Sequence, residues 1–359
     1  MSGHSLPLRN TTMEDVAREC GVTKKTVSRV FAGGAAVKPS TREKILEAAR
    51  RLNYEYNTLA QSFSSKRSRF IGVATAFQQL VGTSYFGELF RGIASVLNET
   101  EMDLSLFDTD TDSFSDGEKL AKLYRRRRVD GLLVVAPHTY DRFLGTLERL
   151  HVPMIVVGVQ PAGKDICSVS LDDAKGIRLL CEHLYGLGHR NMAFVAGPDF
   201  VTTSEQRKQA YVQFCRDKGL ECPAHYIQPG SFSIQTGREA VRRHFADGPR
   251  RVPRQRSHAC PTAIVAANDL MALGAMDAAR ELGLRVPEDL SIAGFDNLPV
   301  GGELPATLTT IHTPVMEMGR QSAAILVNAL QQSRLPAGST VLDVSLVTRA
   351  STAKVRARL

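Results

Sequence analysis

The sequence predicts a small all-α helix-turn-helix headpiece, followed by an α/β core of two lobes with doubly wound parallel sheets. Three observations predict it. Two short amphipathic segments flank a glycine between Thr12 and Arg29. From Phe70 onward, apolar strand-like runs alternate with helical patterns. The basic charge is confined to one end: residues 1–69 hold 13 Lys/Arg against 6 Asp/Glu, which is +7 of the formal +8 of the chain.

The headpiece can be read residue by residue. Thr12 stands three positions before Asp15, a capping-box spacing that satisfies free N–H groups where a helix starts. Met13, Val16, Ala17 and Cys20 recur at helical spacing on one face. Gly21 follows where a left-handed turn residue is needed. Val22 and Thr23 open a second helix in which Val27 and Val30 face inward, while Lys24 and Lys25 occupy the leading end that a recognition helix turns toward base edges. Pro39 suits a first helical position, and a third helix runs to about Leu52, packed through Ile45, Ala49 and Leu52. Residues 57–68 are polar and small except for Leu59, Ala60 and Phe63. They read either as a linker or as a short helix that needs external support, because isolated helices this short are marginal in water.

The strands expected in the core are FIGVATAF, MDLSLFDT, VDGLLVVAP, VPMIVVGV, NMAFVAGP, TAIVAAND and LSIAGFDN, with helices such as Tyr85 to Asn98, Asp172 to Leu187 and Ser204 to Gly219 between them. Continuous apolar strands separated by helices imply parallel sheets covered on both faces. About 280 residues of this pattern suit two lobes, with a ligand cleft beyond the carboxyl ends of the strands. The Arg/Pro-rich stretch 249–261 reads as a surface loop. The run Arg125 to Arg128 lies in the part of near-neutral charge and reads as the exposed end of a helix, well placed against its dipole.

At 359 residues and 43% hydrophobic content, the chain can build two or three domains. Six cysteines without a CxxC pair suit a reducing cytoplasm. No run approaches a membrane span in length, and the first ten residues carry no apolar leader. Enzyme signatures such as G-x-S-x-G, the P-loop, G-x-G-x-x-G and H-E-x-x-H are absent. Cys181 and His183 lie two apart on a helix and so diverge, which argues against a metal site there. His189, after Gly188, reads as a residue that satisfies backbone groups. The expectation is a cytoplasmic, nucleoid-associated, non-enzymatic protein with no cofactor, no metal and no membrane contact.

The order VARECGVTKKTVSRVF, RLNYEYNTLAQSF, RRVDGLLVVAP, LYGLGHRNMAFVAGP, AANDLMALGAMDAARELGLRVPEDLSIAGFDN and LTTIHTP resembles the lactose-repressor (LacI) family from about Thr12 to Arg349. The resemblance implies a transcription regulator with a DNA-binding headpiece, a hinge helix and a periplasmic-binding-protein-like core. It further implies a dimer on a palindromic operator and a small molecule in the cleft that alters operator affinity. Position by position, it implies that Lys24, Lys25 and Arg29 read the major groove. Thr23, Thr26, Ser28 and Asn57 would contact or approach the DNA backbone, and Thr12 completes the DNA-contacting set. Ala60 and Phe63 would enter the minor groove. Relatives usually carry leucine where this chain has Phe63, a side chain that can also wedge open a base step. Many carry arginine where it has Gln61.

In the cleft the resemblance implies that Arg207, Asn268 and Asp296 hold the effector, a set suited to sugar hydroxyls or a carboxylate. Each has another reading: Arg207 paired with Glu205 or Asp199 on the surface, Asn268 closing a turn, Asp296 capping a helix or loop. Leu171 replaces an aromatic that stacks on the ligand in some relatives, and Gly158 replaces an aspartate. Tyr85, Phe86, Asp172 and Phe200 are the residues expected to complete the pocket.

The expected boundaries are a headpiece at 11–56, a hinge and linker at 57–69, a core at 70–349 and a tail at 350–359. Within the core, 70–170 with 313–335 would form one lobe and 171–312 with 336–349 the other. By the same resemblance the helix Asp269 to Gly283, with Leu273, lies at a homodimer interface. The function expected is repression of a double-stranded operator, relieved by a sugar or sugar acid. The alternatives are a corepressor-dependent regulator and a cytoplasmic sugar sensor without site-specific DNA binding.

Overall fold

A computed structural model describes residues 11–31, 37–54, 67–77, 82–100, 102–109, 117–136, 143–161, 166–245, 260–299 and 306–355. The hinge positions Asn57, Ala60 and Phe63 lie outside the described residues, as does Gln61. The chain divides into two compact units, residues 1–68 and 69–359.

The first unit contains α1 (Met13–Cys20), α2 (Lys24–Phe31) and α3 (Pro39–Arg51). Thr12 and Asp15 form the capping box reciprocally: the Asp15 amide donates to Thr12 Oγ1 at 3.3 Å and the Thr12 amide to Asp15 Oδ2 at 2.9 Å. Gly21 ends α1 at φ +64, a conformation that costs a residue with a Cβ about 1–2 kcal/mol. Val16, Ala17, Cys20, Val27, Val30, Ile45, Ala48, Ala49 and Tyr54 form the core of the three helices. Phe31 meets Tyr54 edge-on at 5.6 Å between ring centroids.

In the second unit, strands β1 (Phe70–Thr75), β2 (Asp103–Asp108), β3 (Gly131–Val135), β4 (Met154–Val157), β5 (Ser168–Leu171) and β11 (Ser339–Leu342) form one sheet. Its order is β11-β5-β4-β3-β1-β2 and every pairing is parallel. Val73, for example, lies between Leu106 and Leu133. Helices α4 (Ser84–Leu97), α5 (Glu118–Arg125), α6 (Phe143–Arg149) and α11 (Val315–Gln332) belong to this lobe. The second sheet takes the order β7-β6-β8-β9, again parallel. Its strands are β6 (Met192–Val195), β7 (Ile227–Gln228), β8 (Ala263–Ala266) and β9 (Ser291–Ala293). Its helices are α7 (Asp173–Gly186), α8 (Thr202–Asp217), α9 (Ile234–Phe245) and α10 (Asp269–Glu281). A short antiparallel pair joins β10 (Thr310–His312) to β12 (Ser345–Val347). Among the described residues no helix is long and apolar enough to cross a membrane.

Two expected boundaries are corrected. The segment 336–349, assigned to the second lobe, is divided: β11 hydrogen-bonds β5 in the first sheet, and β12 lies against β10. Residues 351–355, expected to be tail, belong to the second lobe. Ser351 Oγ donates to the Ile292 carbonyl at 2.5 Å, the Ile292 amide donates to Ser351 O at 2.9 Å, and the Val355 amide donates to Leu187 O at 2.9 Å. The physical reason is the same in both cases. Buried sheet edges leave unpaired N–H and C=O groups, and these late segments satisfy them.

Candidate functional site

Two sites emerge, one in each unit. In the first, α2 presents Lys24, Lys25 and Arg29 exposed, while Val27 and Val30 are buried on its other side. Lys25 and Arg29 are four residues apart and share a helix face. Lysines in the first turn oppose the helix dipole and cost a free helix about 0.3–1 kcal/mol each. Positive charge there gains its compensation from an anion, which a helix N-terminus also favours. Thr23 starts this turn: the Thr26 amide donates to Thr23 Oγ1 at 3.2 Å, and the two hydroxyls lie 2.9 Å apart. Lys24 Nζ reaches Glu14 at 3.0 Å, an exposed pair that leaves the ammonium accessible. Thr12 is exposed, and Thr26 and Ser28 are half-buried.

The second site lies at the carboxyl ends of the strands in the core. It is built on Arg207, which α8 carries into the protein rather than to the surface. Arg207 is only 5% exposed and its partner Asp173 4%. Its Nε donates to Asp173 Oδ1 at 2.6 Å, and its Nη1 donates to the Ala267 carbonyl at 2.5 Å and to Asp296 Oδ1 at 3.5 Å. The guanidinium lies 3.8 Å above the Phe295 ring, a cation–π contact. Gly176 makes room for that ring, since a Cβ there would fall 2.5 Å from it. The surface pairing considered for Arg207 does not form: Glu205 and Asp199 instead hold Lys208.

Two carboxyls, Asp173 and Asp296, meet this guanidinium, and a third, Asp269, acts on Asp296. Burial raises the pKa of Asp173, with Arg207 opposing. Burial also pushes Asp296 up to about 8, against the pull of Arg207 and aided by Asp269 and Asp173. Asp269, accepting from Thr310 Oγ1 at 2.5 Å and from the Asn297 amide at 2.7 Å, is pushed by burial up to about 6. Burial works against the charge of Arg207, but Asp173 and Asp296 outweigh it and raise its pKa. Asp296 also holds an unusual backbone at φ +117, fixed by its amide to Ile311 O at 3.0 Å and its carbonyl from Thr313 Oγ1 at 3.0 Å. Such strain is concentrated at functional sites.

The first lobe contributes Tyr85 from the start of α4. Burial raises its hydroxyl pKa, and Asp173, Arg207 and Asp296 all act on it electrostatically. A Cβ at Gly158 would lie 3.0 Å from that hydroxyl, so the glycine leaves room for it. Beside it, Ser84 Oγ donates across the cleft to the Pro299 carbonyl. Phe86 is buried and stacks on Phe90 at 6.0 Å.

The remaining expected residues divide. Asn268 caps α10: its Oδ1 accepts from the Met271 amide at 2.9 Å and its Nδ2 donates to the Phe232 carbonyl at 3.2 Å. Leu171 is buried at the end of β5. Asp172, expected in the pocket, caps α7 by accepting from the Lys175 amide at 2.9 Å. Its neighbour Asp173 takes the position against Arg207 instead, because the first helical turn swings the two side chains apart. Phe200, also expected there, is 42% exposed. Sequence reading missed Asp173, Asp269, Phe295 and Phe232. The doublet Asp172-Asp173 before a helix was the available signal, but it could not say which aspartate was the cap. His189 is buried with both ring nitrogens engaged, at 2.8 Å from Thr262 Oγ1 and 3.0 Å from Ala353 O. Among the described residues no group of three or more His, Cys, Asp or Glu is arranged to hold a metal ion.

Comparison with known proteins joins the two sites. Residues 12–57 match the family described as bacterial regulatory proteins, lacI family, and residues 181–352 match a periplasmic binding protein-like domain. The HTH-type transcriptional repressor CytR of Escherichia coli (strain K12) is 30% identical over 342 residues, spanning 95% of this chain and 96% of the relative. A lac repressor dimer bound to operator and the anti-inducer ONPF superposes with a TM-score of 0.82 at 29% identity, over 96% of this chain and 100% of that one. A transcriptional regulator CelR–cellobiose complex gives 0.69 at 28% identity, over 95% and 100%. With a reading helix in one unit and a two-lobed ligand cleft in the other, matched along nearly the whole length, the chain belongs to the LacI family of bacterial regulatory proteins.

Proposed function

We propose that this chain is a dimeric operator-binding repressor whose affinity for DNA is set by a neutral, polyhydroxylated small molecule held between the lobes of its core. The observation that carries the reading is the buried Arg207, which α8 holds at the carboxyl ends of the strands beside Asp173, Asp296 and Tyr85. A charge buried this deeply stabilises a fold poorly, and its place in a cleft suits ligand recognition. Lys24, Lys25 and Arg29 supply the DNA face, and the solved lac repressor dimer on operator supports the mode of binding.

A neutral effector is favoured over a sugar acid. Nε and Nη1 of Arg207 are already engaged by Asp173, Asp296 and the Ala267 carbonyl, so an incoming carboxylate would have to compete with Asp173 for the one buried positive charge. Hydroxyls that both donate and accept fit such a lining. The relative solved with cellobiose supports this choice. Asn268, with its amide committed to Met271 and Phe232, would shape the wall of the cleft more than it would grip the ligand. Closing on a ligand would couple to DNA through the hinge at Asn57, Ala60 and Phe63. Full reversal of occupancy from 99:1 to 1:99 requires the effector to prefer one state by about 5.5 kcal/mol.

Selection of the purified protein against a randomised duplex pool, at about 150 mM salt because affinity depends on it, tests the reading. A palindrome with a central pyrimidine–purine step is expected. Failure to enrich any sequence would leave the alternative of a sugar sensor without site-specific DNA binding.

A further inference from the structure

Neither site uses the four arginines from Arg125 to Arg128. Arg125 closes α5 and Arg126 caps it, with the Arg126 amide donating to Lys122 O at 2.9 Å. A helix dipole favours cations within its last turn and falls off beyond it, which accounts for these two and not for the two that follow. Arg127 adopts φ +54, a left-handed position where glycine or asparagine is the unstrained residue, so an arginine there carries a conformational cost. Its amide donates to Tyr124 O at 2.8 Å and that of Arg128 to Leu123 O at 2.9 Å, which fixes the turn. All four side chains are exposed. Glu118 reaches Arg125 at 3.5 Å, and no hydrogen bond or ion pair joins the side chains of Arg126, Arg127 or Arg128 to another described residue. Residues 70–359 hold 32 Lys/Arg against 31 Asp/Glu, so this run is a local excess in a body of almost no net charge.

The run also stands at a particular end of the first sheet. Val129, 1% exposed, leads from it into β3. Asp130 ties it to the entry of the chain into the core: the Arg69 amide donates to Asp130 Oδ2 at 2.8 Å and the Asp130 amide to Phe70 O at 2.7 Å. β1 and β3 are parallel neighbours, with Ile71 opposite Gly131. The arginines are therefore at the amino ends of these strands, beside the point where residues 57–68 join the core. The effector cleft lies at the carboxyl ends, separated by the length of β3, about 17 Å. The run takes no part in that cleft.

We propose that Arg125 to Arg128 form a second DNA-contacting surface, carried by the core, which takes the phosphate backbone of the duplex flanking the operator, a role that rests on the operator-binding reading above. Residues 55–68 tether the headpiece helices to Arg69 and span at most about 50 Å, so DNA held by the headpiece is within reach. At the effective concentration a tether gives, individually weak contacts add to affinity. Guanidinium groups take phosphate oxygens through paired N–H donors, and three of these four have their donors uncommitted within the described protein. No base is read, so the surface adds affinity and salt dependence but no sequence preference. On the far side of β1, Asp103 opens β2 and bounds the basic surface.

Fluorescence anisotropy of the full chain tests this on labelled duplexes: the selected operator and a scrambled sequence, each bare or extended by roughly 15 base pairs on both sides, the length that about 50 Å covers. At about 150 mM salt the flanks are expected to raise the affinity of the parent about tenfold and to steepen its salt dependence by about 1 for each phosphate met. The combined change Arg126→Gln, Arg127→Gln and Arg128→Gln is expected to remove that gain and leave binding to the bare operator unchanged. The corresponding lysine triple keeps the charge and is expected to restore most of the gain. A glutamine triple that keeps the flank gain of the parent, or a lysine triple as weak as the glutamine one, overturns the proposal. Equal affinity for bare operator and bare scrambled duplex would instead refute the operator reading, and the scrambled pair would still measure the flank gain. Circular dichroism of both triples separates loss of charge from loss of fold.

Discussion

Arg207 Nε and Asp173 Oδ1 meet at 2.6 Å with both side chains almost fully buried. A pair of this kind contributes little by existing but costs much when one member is removed, because the other charge is left without compensation. Asp173→Ala is therefore expected to destabilise the core by about 3–5 kcal/mol. Arg207→Met, which removes the charge and keeps the bulk, is expected to cost less while abolishing the effector response. Urea unfolding read alongside effector binding separates the two effects.

Acidity at the same site sets a pH dependence. Asp296 and Asp269 have folded pKa values of about 8 and about 6, both above the ordinary carboxyl value. Between that value and the folded one, the folded chain binds more protons than the unfolded chain, so their contribution falls as pH rises. It is complete below about pH 4 and lost by about pH 8. The urea midpoint is expected to decline from about pH 5 to about pH 8, and Asp296→Asn is expected to flatten that decline. An equal slope in the variant would assign the effect to other groups.

The DNA face should trade stability against binding. Lys25→Glu places a favourable charge in the first turn of α2 and is expected to stabilise the headpiece by about 0.3–1 kcal/mol. The same change should eliminate operator binding. Glu14→Gln, which frees Lys24, should raise DNA affinity about two- to fivefold, in line with the strength of an exposed ion pair. Hydrogen exchange of headpiece amides and fluorescence anisotropy with labelled duplex read the two quantities.

Helix contacts inside each lobe leave no room for a methyl group. A Cβ on Gly92 would stand 1.9 Å from the Met316 carbonyl oxygen, and one on Gly237 would stand 1.8 Å from that of Met271. Both obstacles are backbone, so Gly92→Ala and Gly237→Ala should each cost about 3 kcal/mol or more. Gly186→Ala, with no atom within 4 Å of the new carbon, is the control expected to melt with the parent.

Legibility in the sequence followed locality. The capping box at Thr12 and Asp15, the left-handed Gly21 and Pro39 at the head of α3 depend on neighbours within a few residues, and each was readable. The buried strands were readable too, since both faces of a parallel sheet demand apolar runs. β11 was not: with Ser339 to Val341 exposed it lacks the apolar signature, and only its pairing with β5 makes it a strand. Likewise, the sequence offered Glu205 or Asp199 as partners of Arg207 and Asp172 as a pocket residue, whereas the guanidinium pairs with Asp173. A cap and a buried counter-ion are the same residue type one position apart, and only the three-dimensional path of α7 distinguishes them.

The placement of β11 and residues 351–355 bears on how the protein is made. The first lobe is finished by β11, which leaves the ribosome after the other strands of its sheet, and the second by residues 351–355, which leave after every strand of the core. The headpiece, complete within its own short stretch, can fold long before. During synthesis, the unit that carries the DNA face is therefore complete ahead of the core that holds the effector cleft.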